Sequence, residues 1–165
     1  MISRPTSKPA EFYRPKGYAA DESVGYLMRR IMTLLAQRVD QEMEPAGLTN
    51  AQWIPLLKIY MGHASTVAEL AREAHMDAGA MTRMLDRLES KDLCKRVRNA
   101  EDRRVVNVEL TDAGREAAQR IPAILCDVQN AHLKGFTQEE WQMLKGLLRR
   151  MLENGLAEQA AREKQ

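Results

Sequence analysis

Apolar residues recur at three- and four-residue steps through most of this chain, and one segment switches to strict alternation. From about Glu22 to Met43, Val24, Leu27, Met28, Ile31, Leu34, Leu35 and Val39 keep the helical repeat until Pro45 and Gly47 stop it. Thr49 with Gln52 reads as a capping box opening a second helix, whose shared face is Trp53, Leu56, Leu57 and Tyr60 and which Pro55 should bend slightly. Thr66 with Glu69 opens a third, with Val67, Leu70, Ala71 and Ala74 on its apolar side. The chain turns through His75 and Met76, and Asp77 supplies the N-cap of a fourth helix that places Met81, Leu85 and Leu88 inward. The period then drops to two: Val106, Val108 and Leu110 alternate with Val105, Asn107 and Glu109, predicting a half-buried strand that follows another at Cys94 to Arg98. Thr111 caps a helix reaching about Leu133, with Pro122 as a kink, and Thr137 with Glu140 caps the last one. Trp141, Leu144, Leu148, Met151 and Leu152 give that last helix a stripe wider than one small domain can cover, which implies a partner subunit.

Two short helices with a tight join, followed at once by a hairpin, form a helix-turn-helix with a wing. The outward residues of the second helix are small at its start, Ala78, Gly79 and Ala80, and then polar or cationic, Thr82, Arg83 and Arg87. Small residues let the first turn of a helix sink into a major groove, and an arginine one turn later reaches guanine or phosphate. Charge sharpens this reading. Between Lys95 and Arg104 the cations Lys95, Arg96, Arg98, Arg103 and Arg104 face only Glu101 and Asp102, a local excess of +3 in a chain whose net charge is +2. Basicity concentrated on one hairpin suits contact with phosphate or entry to the minor groove.

The run Asp102, Arg104, Val108, Leu110, Thr111 and Gly114 fills every fixed position of D-x-R-x-x-x-V-x-L-T-x-x-G, and in this it resembles the MarR family of bacterial transcription regulators. Leu48-Thr49 with Trp53, Leu70-Ala71 and the run from Thr82 to Glu89 extend the resemblance over roughly residues 22 to 154. One departure is Asp92, which precedes Leu93 where the family usually has glycine. The resemblance implies a mainly α fold: a winged helix-turn-helix over 49–111 and a helical dimerisation region from 21–48 and 112–165, in which the terminal helices of two chains interlock. It also implies Arg104 at the minor groove with Asp102 bracing the wing, and Arg98 and Arg103 as phosphate ligands. Double-stranded DNA carrying a pseudo-palindromic operator is the expected partner, and a homodimer the expected assembly. Similar family members take small aromatic acids or phenols between the first helices and the winged domain. Here the candidate set is Met28, Arg29, Arg30, Thr33, Trp53, Leu57 and Tyr60, with Thr33 a departure from the salicylate-binding branch, which has an arginine near that position.

Other classes fit less well. Three histidines without metal-ligand spacing, and no glycine-rich phosphate loop after a strand, leave neither a catalytic nor a metal or cofactor site to expect. With 44% hydrophobic and 29% charged residues over 165 positions, one domain with a core is expected. No apolar run approaches a membrane span or a signal-peptide core, so a cytoplasmic protein is expected. Cys94 and Cys126 are too few for a disulfide framework, and neither falls in the first helix, where the family's hydroperoxide sensors carry their reactive cysteine. Residues 1–20 differ in kind: Pro5, Pro9, Pro15 and Gly17 break any regular element, and Phe12, Tyr13 and Tyr18 stand among Arg4, Lys8, Arg14 and Lys16, which reads as an extended arm. The expected function is a DNA-binding repressor released by a small aromatic ligand. A thiol redox sensor and a helical protein-interaction adaptor without DNA binding are the alternatives.

Overall fold

The computed structural model describes residues 11–49, 51–99 and 105–164. Among these residues six α-helices, a 3-10 turn at Glu44–Ala46 and one hairpin follow, with the helices and strands in the order α1 (Val24–Met43), α2 (Trp53–Tyr60), α3 (Val67–Glu73), α4 (Ala78–Ser90), β1 (Cys94–Arg98), β2 (Val106–Leu110), α5 (Asp112–His132) and α6 (Gln138–Arg162). Among the described residues, none of these helices is long and apolar enough to cross a membrane.

Side-chain caps set most of the helix starts. Ser23, Thr66, Asp77, Thr111 and Thr137 each accept a hydrogen bond from a backbone N–H of the first turn that follows. At Thr66 and Thr137 the Glu69 or Glu140 carboxylate accepts in return from the cap's own backbone N–H, which completes the capping box. The bonds that Glu69 accepts from the Ser65 and Thr66 amides hold its carboxyl below the ordinary range. The expected box at Thr49 forms by half: Gln52 Oε1 accepts from the Thr49 N–H at 3.2 Å, but α2 starts only at Trp53. Pro55 therefore lies in the first turn of α2, where its missing N–H has no intrahelical acceptor to lose, so the reason for expecting a bend disappears. Pro122 lies well inside α5, which continues through it to His132.

Among the described residues, two turns end helices with a residue other than glycine in the left-handed region. His75 (φ 51°) follows α3, and Asp92 (φ 56°) follows α4. In both, the next two amides fold back on the last turn: His75 to the Arg72 carbonyl and Met76 to that of Ala71, Asp92 to Glu89 and Leu93 to Leu88. These are Schellman closures, which glycine makes at least cost. The departure at Asp92 thus leaves the turn intact and puts an L-residue where φ is positive. Asp92→Gly is expected to raise unfolding stability by about 0.5–1 kcal/mol, read from the urea midpoint.

The core joins the C-terminal end of α1 (Val39, Met43) to Leu48, Leu56 of α2, Leu70 and Ala71 of α3, Met81, Leu85 and Leu88 of α4, Val108 and Leu110 of β2, and Ala118, Ile121 and Val128 of α5. Each buried Leu or Met contributes about 1.5–3 kcal/mol by leaving water. Helix α5 packs against α1, α2 and β2, and so carries the winged domain on its N-terminal half. At the corner between them Thr111 donates to the Asp92 carbonyl (2.6 Å) while its hydroxyl accepts from the Gly114 N–H (3.0 Å). A Lys91 ammonium ties the end of α4 to the α1–α2 connection, donating to the Gly47 carbonyl (2.6 Å) and Gln52 Oε1 (3.0 Å).

Away from this core the long helices are bare. Leu27, Ile31 and Met32 of α1 and Met143, Leu147, Leu148, Met151, Leu152 and Leu156 of α6 are exposed. The first ten residues of the arm lie outside the described residues; in the part from 11 to 20, the Tyr13 hydroxyl accepts from the Val24 N–H at 2.9 Å, and Tyr18 meets the Tyr13 ring edge-on at 5.9 Å.

Candidate nucleic-acid interface

Helix α4 presents the face that its sequence pattern specifies. Met81, Leu85 and Leu88 are buried, Ala78, Gly79, Thr82, Arg83 and Arg87 are exposed, and Ala80 is half-buried. The Asp77 carboxylate accepts from the Ala80 N–H at 2.8 Å, which starts the helix and fixes its first turn. Gly79 leaves space beside it: a Cβ there would meet Asp77 Oδ1 at 3.2 Å and Arg83 Nη1 at 3.5 Å, so the arginine lies back along the first turn. The Thr82 hydroxyl is bonded to the Ala78 carbonyl (2.8 Å).

Arg83 and Arg87 have no carboxylate partner among the described residues. The acids that share their helix, Asp86 and Glu89, are engaged by Arg96 of β1. Its Nη2 lies 2.7 Å from Asp86 Oδ1, its Nη1 2.5 Å from Glu89 Oε2, and its backbone N–H donates to Glu89 Oε1 at 3.1 Å. Nη2 also reaches the Thr82 carbonyl at 3.3 Å. Partial burial alone would lower the guanidinium pKa, but the two carboxylates outweigh it and hold the charge more firmly than usual.

The hairpin pairs antiparallel in the register Cys94 with Leu110, Arg96 with Val108 and Arg98 with Val106. The Val108 N–H donates to the Ser65 carbonyl (2.7 Å), and Thr66 bridges Asn107, so the approach to α3 lines the other edge of β2. Val108 and Leu110 are buried, whereas Val106, in the outermost pair of the ladder, is exposed, because there the strands have left the core. The wing's charge is consequently less free than its sequence implies. Arg96 is turned onto α4, and Lys95 lies 3.6 Å from Glu109, its cross-strand neighbour. Arg98 stays exposed. Asp102, Arg103 and Arg104 lie outside the described residues.

The residues matched to an effector fall on two helices. Met28, Arg29, Arg30 and Thr33 occupy the exposed half of α1, where Arg29 stands 5.6 Å from the Tyr26 ring centre and the Thr33 hydroxyl bonds the Arg29 carbonyl. Trp53 and Leu57 of α2 are half-buried against the core and Tyr60 is exposed. Helices α1 and α2 each pack on α5. Two open cavities of about 430 Å³ have other linings. One lies between α5 and α6, among Leu125, Leu133, Phe136 and Trp141, and the other lies beside Asp40, Glu44 and Leu48.

Cys94 is buried, with its thiol near the Leu85 carbonyl. Burial, aided by the Glu89 charge, pushes its pKa up to about 11, against Arg96, which lowers it. Little of it is thiolate at neutral pH, which does not suit a redox sensor. Cys126 is exposed on α5. Among the described residues no three His, Cys, Asp or Glu side chains are grouped to hold a metal ion.

Comparison with known proteins bears on this arrangement. The MarR family model matches residues 48–106. The reduced form of MarR from E. coli is 32% identical, with a TM-score of 0.68 over 79% of this chain and 96% of that one. A cysteine-to-serine mutant of E. coli MarR, solved with operator DNA, is 31% identical, with a TM-score of 0.71 over 78% of this chain and 92% of that one. MepR from S. aureus, solved as a DNA complex, is 25% identical and superposes with a TM-score of 0.74 over 80% of this chain and 98% of that one.

Proposed function

The chain belongs to the MarR family, and from that membership we propose that it is a sequence-specific DNA-binding transcriptional regulator. It works as a homodimer on a pseudo-palindromic operator. The observation that carries this reading is the outer face of α4: a small first turn followed by Arg83 and Arg87, neither held by a carboxylate among the described residues. A helix so equipped, with a hairpin beside it, is built to enter a major groove while the wing follows the backbone. The S. aureus and E. coli relatives solved on DNA support the same use. In this reading residues 49–111 read the DNA, 21–48 and 112–165 form the dimer, and 1–20 are an arm. Ala78, Gly79 and Ala80 admit the helix, and Arg98, Arg103 and Arg104, braced by Asp102, contact phosphate or the minor groove. The bare apolar faces of α1 and α6 give the second copy something to bury, and a twofold pair is the usual outcome.

The finer proposal is repression relieved by a small aromatic acid. Arg29 or Arg30 would face its carboxylate, and Met28, Thr33, Trp53, Leu57 and Tyr60 would wall its ring. A ligand favouring the non-binding state by about 100-fold shifts the balance by roughly 2.7 kcal/mol per site. Selection of duplexes from a random-sequence pool by the full chain tests the DNA reading. Enrichment of half-sites spaced about one helical turn, roughly 10 base pairs, is the expected result. Titrating a Trp141→Phe chain with benzoate- and pyridine-carboxylate-like acids tests the effector: Trp53 fluorescence and binding to the selected duplex should change over one concentration range. If no acid moves either signal, the effector class is wrong while the DNA reading stands.

A further inference from the structure

Two acids, Asp86 and Glu89, and two arginines, Arg83 and Arg96, crowd one side of α4, and their pairing decides what the helix offers to DNA. Asp86 lies three residues after Arg83, a spacing at which the two side chains are neighbours on the helix surface and would pair. Glu89 lies three residues after Asp86, so the two carboxylates also adjoin each other. Neither contact governs here. Arg96 reaches across from β1, forks between Asp86 (2.7 Å) and Glu89 (2.5 Å), and closes on the Thr82 carbonyl (3.3 Å). Its side chain is only 26% exposed, against 57% for Asp86 and 40% for Glu89, so it is the acids, more than their partner, that border the solvent.

We infer that Arg96 is a positioning residue for DNA recognition: it occupies Asp86 and Glu89 so that Arg83 remains free to read a base and no uncompensated carboxylate faces the phosphates. The inference rests on the DNA-binding reading above. It differs from a phosphate-contact role, because Arg96 acts through charges on its own chain. It also differs from a merely structural brace, because the defect caused by losing Arg96 is electrostatic and is cured by removing the acids. A lysine could not fork to both carboxylates and the carbonyl at once, but it would still offset their charge.

The test compares four full-length chains, the parent, Arg96→Met, Asp86→Asn with Glu89→Gln, and the triple variant, on a duplex selected by the parent and on an unrelated duplex. Arg96→Met is expected to weaken binding to both by about tenfold or more, since two bare carboxylates then stand by the backbone. The triple variant should return to within about threefold of the parent although the brace is still absent. A triple variant as weak as Arg96→Met overturns the inference, as does an Arg96→Met chain that binds like the parent. If Arg96→Met is unfolded by circular dichroism, the double variant decides. Binding as tight as the parent's or tighter supports the inference, and a loss of about tenfold overturns it. A parent that selects no duplex at all removes the DNA-binding reading first, and this inference with it.

Discussion

Gly114→Ala is expected to cost about 3 kcal/mol or more, enough to remove a large part of the stability of a domain of this size. The reason is local and steric. A Cβ at position 114 would stand 1.7 Å from the Leu93 carbonyl oxygen and 2.7 Å from its carbon, and backbone cannot give way as the end of a side chain can. That carbonyl also accepts the Thr111 N–H at 3.3 Å, so moving it undoes the corner at which α5 meets the winged domain. The glycine of the L-T-x-x-G run thus has a packing role, and Thr111 two: capping α5 and bonding the Asp92 carbonyl. Urea denaturation followed by circular dichroism measures the loss. Gly146→Ala in α6 is the control, since nothing lies within 4 Å of the new methyl group and the helix should gain about 0.5–1 kcal/mol. If Gly114→Ala unfolds at the parent's midpoint, α5 does not approach the α4–β1 corner as described.

Arg83→Ala is expected to weaken binding to a selected duplex by about 1–3 kcal/mol and to relax the base preference at one position of each half-site. An arginine that only neutralised phosphate would instead lower affinity for every sequence alike and flatten the salt dependence. Reselection from the random pool with the variant separates the two outcomes. An unchanged preference with unchanged affinity would show that Arg83 does not read DNA.

Much of this architecture is legible in the sequence because its signals are short-range. The capping pairs Thr66–Glu69 and Thr137–Glu140, the Asp77 cap and the inward triad Met81, Leu85 and Leu88 all depend on residues within one or two turns. The hairpin's period of two is equally local, and β1 and β2 fall where it predicts. What escapes is pairing between elements. Arg96 reads as one more wing cation, since its partners lie seven and ten residues earlier on another element, and only folding brings them together. Lys95 is misread for the same reason, its acid being across the strand at Glu109. The Tyr13 hydroxyl at the start of α1 bridges eleven residues through an irregular segment, where no periodicity points to a partner. The exposed apolar faces of α1 and α6 are visible in both sequence and structure, because a repeat reports which residues share a face whether or not one chain covers it.

Footprinting of a selected duplex by the parent chain tests the central claim most directly. Two protected tracts on one face of the duplex, centred about one helical turn apart and each sensitive to Arg83→Ala, are the predicted result. A single continuous tract, or protection that is the same on an unrelated duplex, would contradict a paired, sequence-reading use of α4.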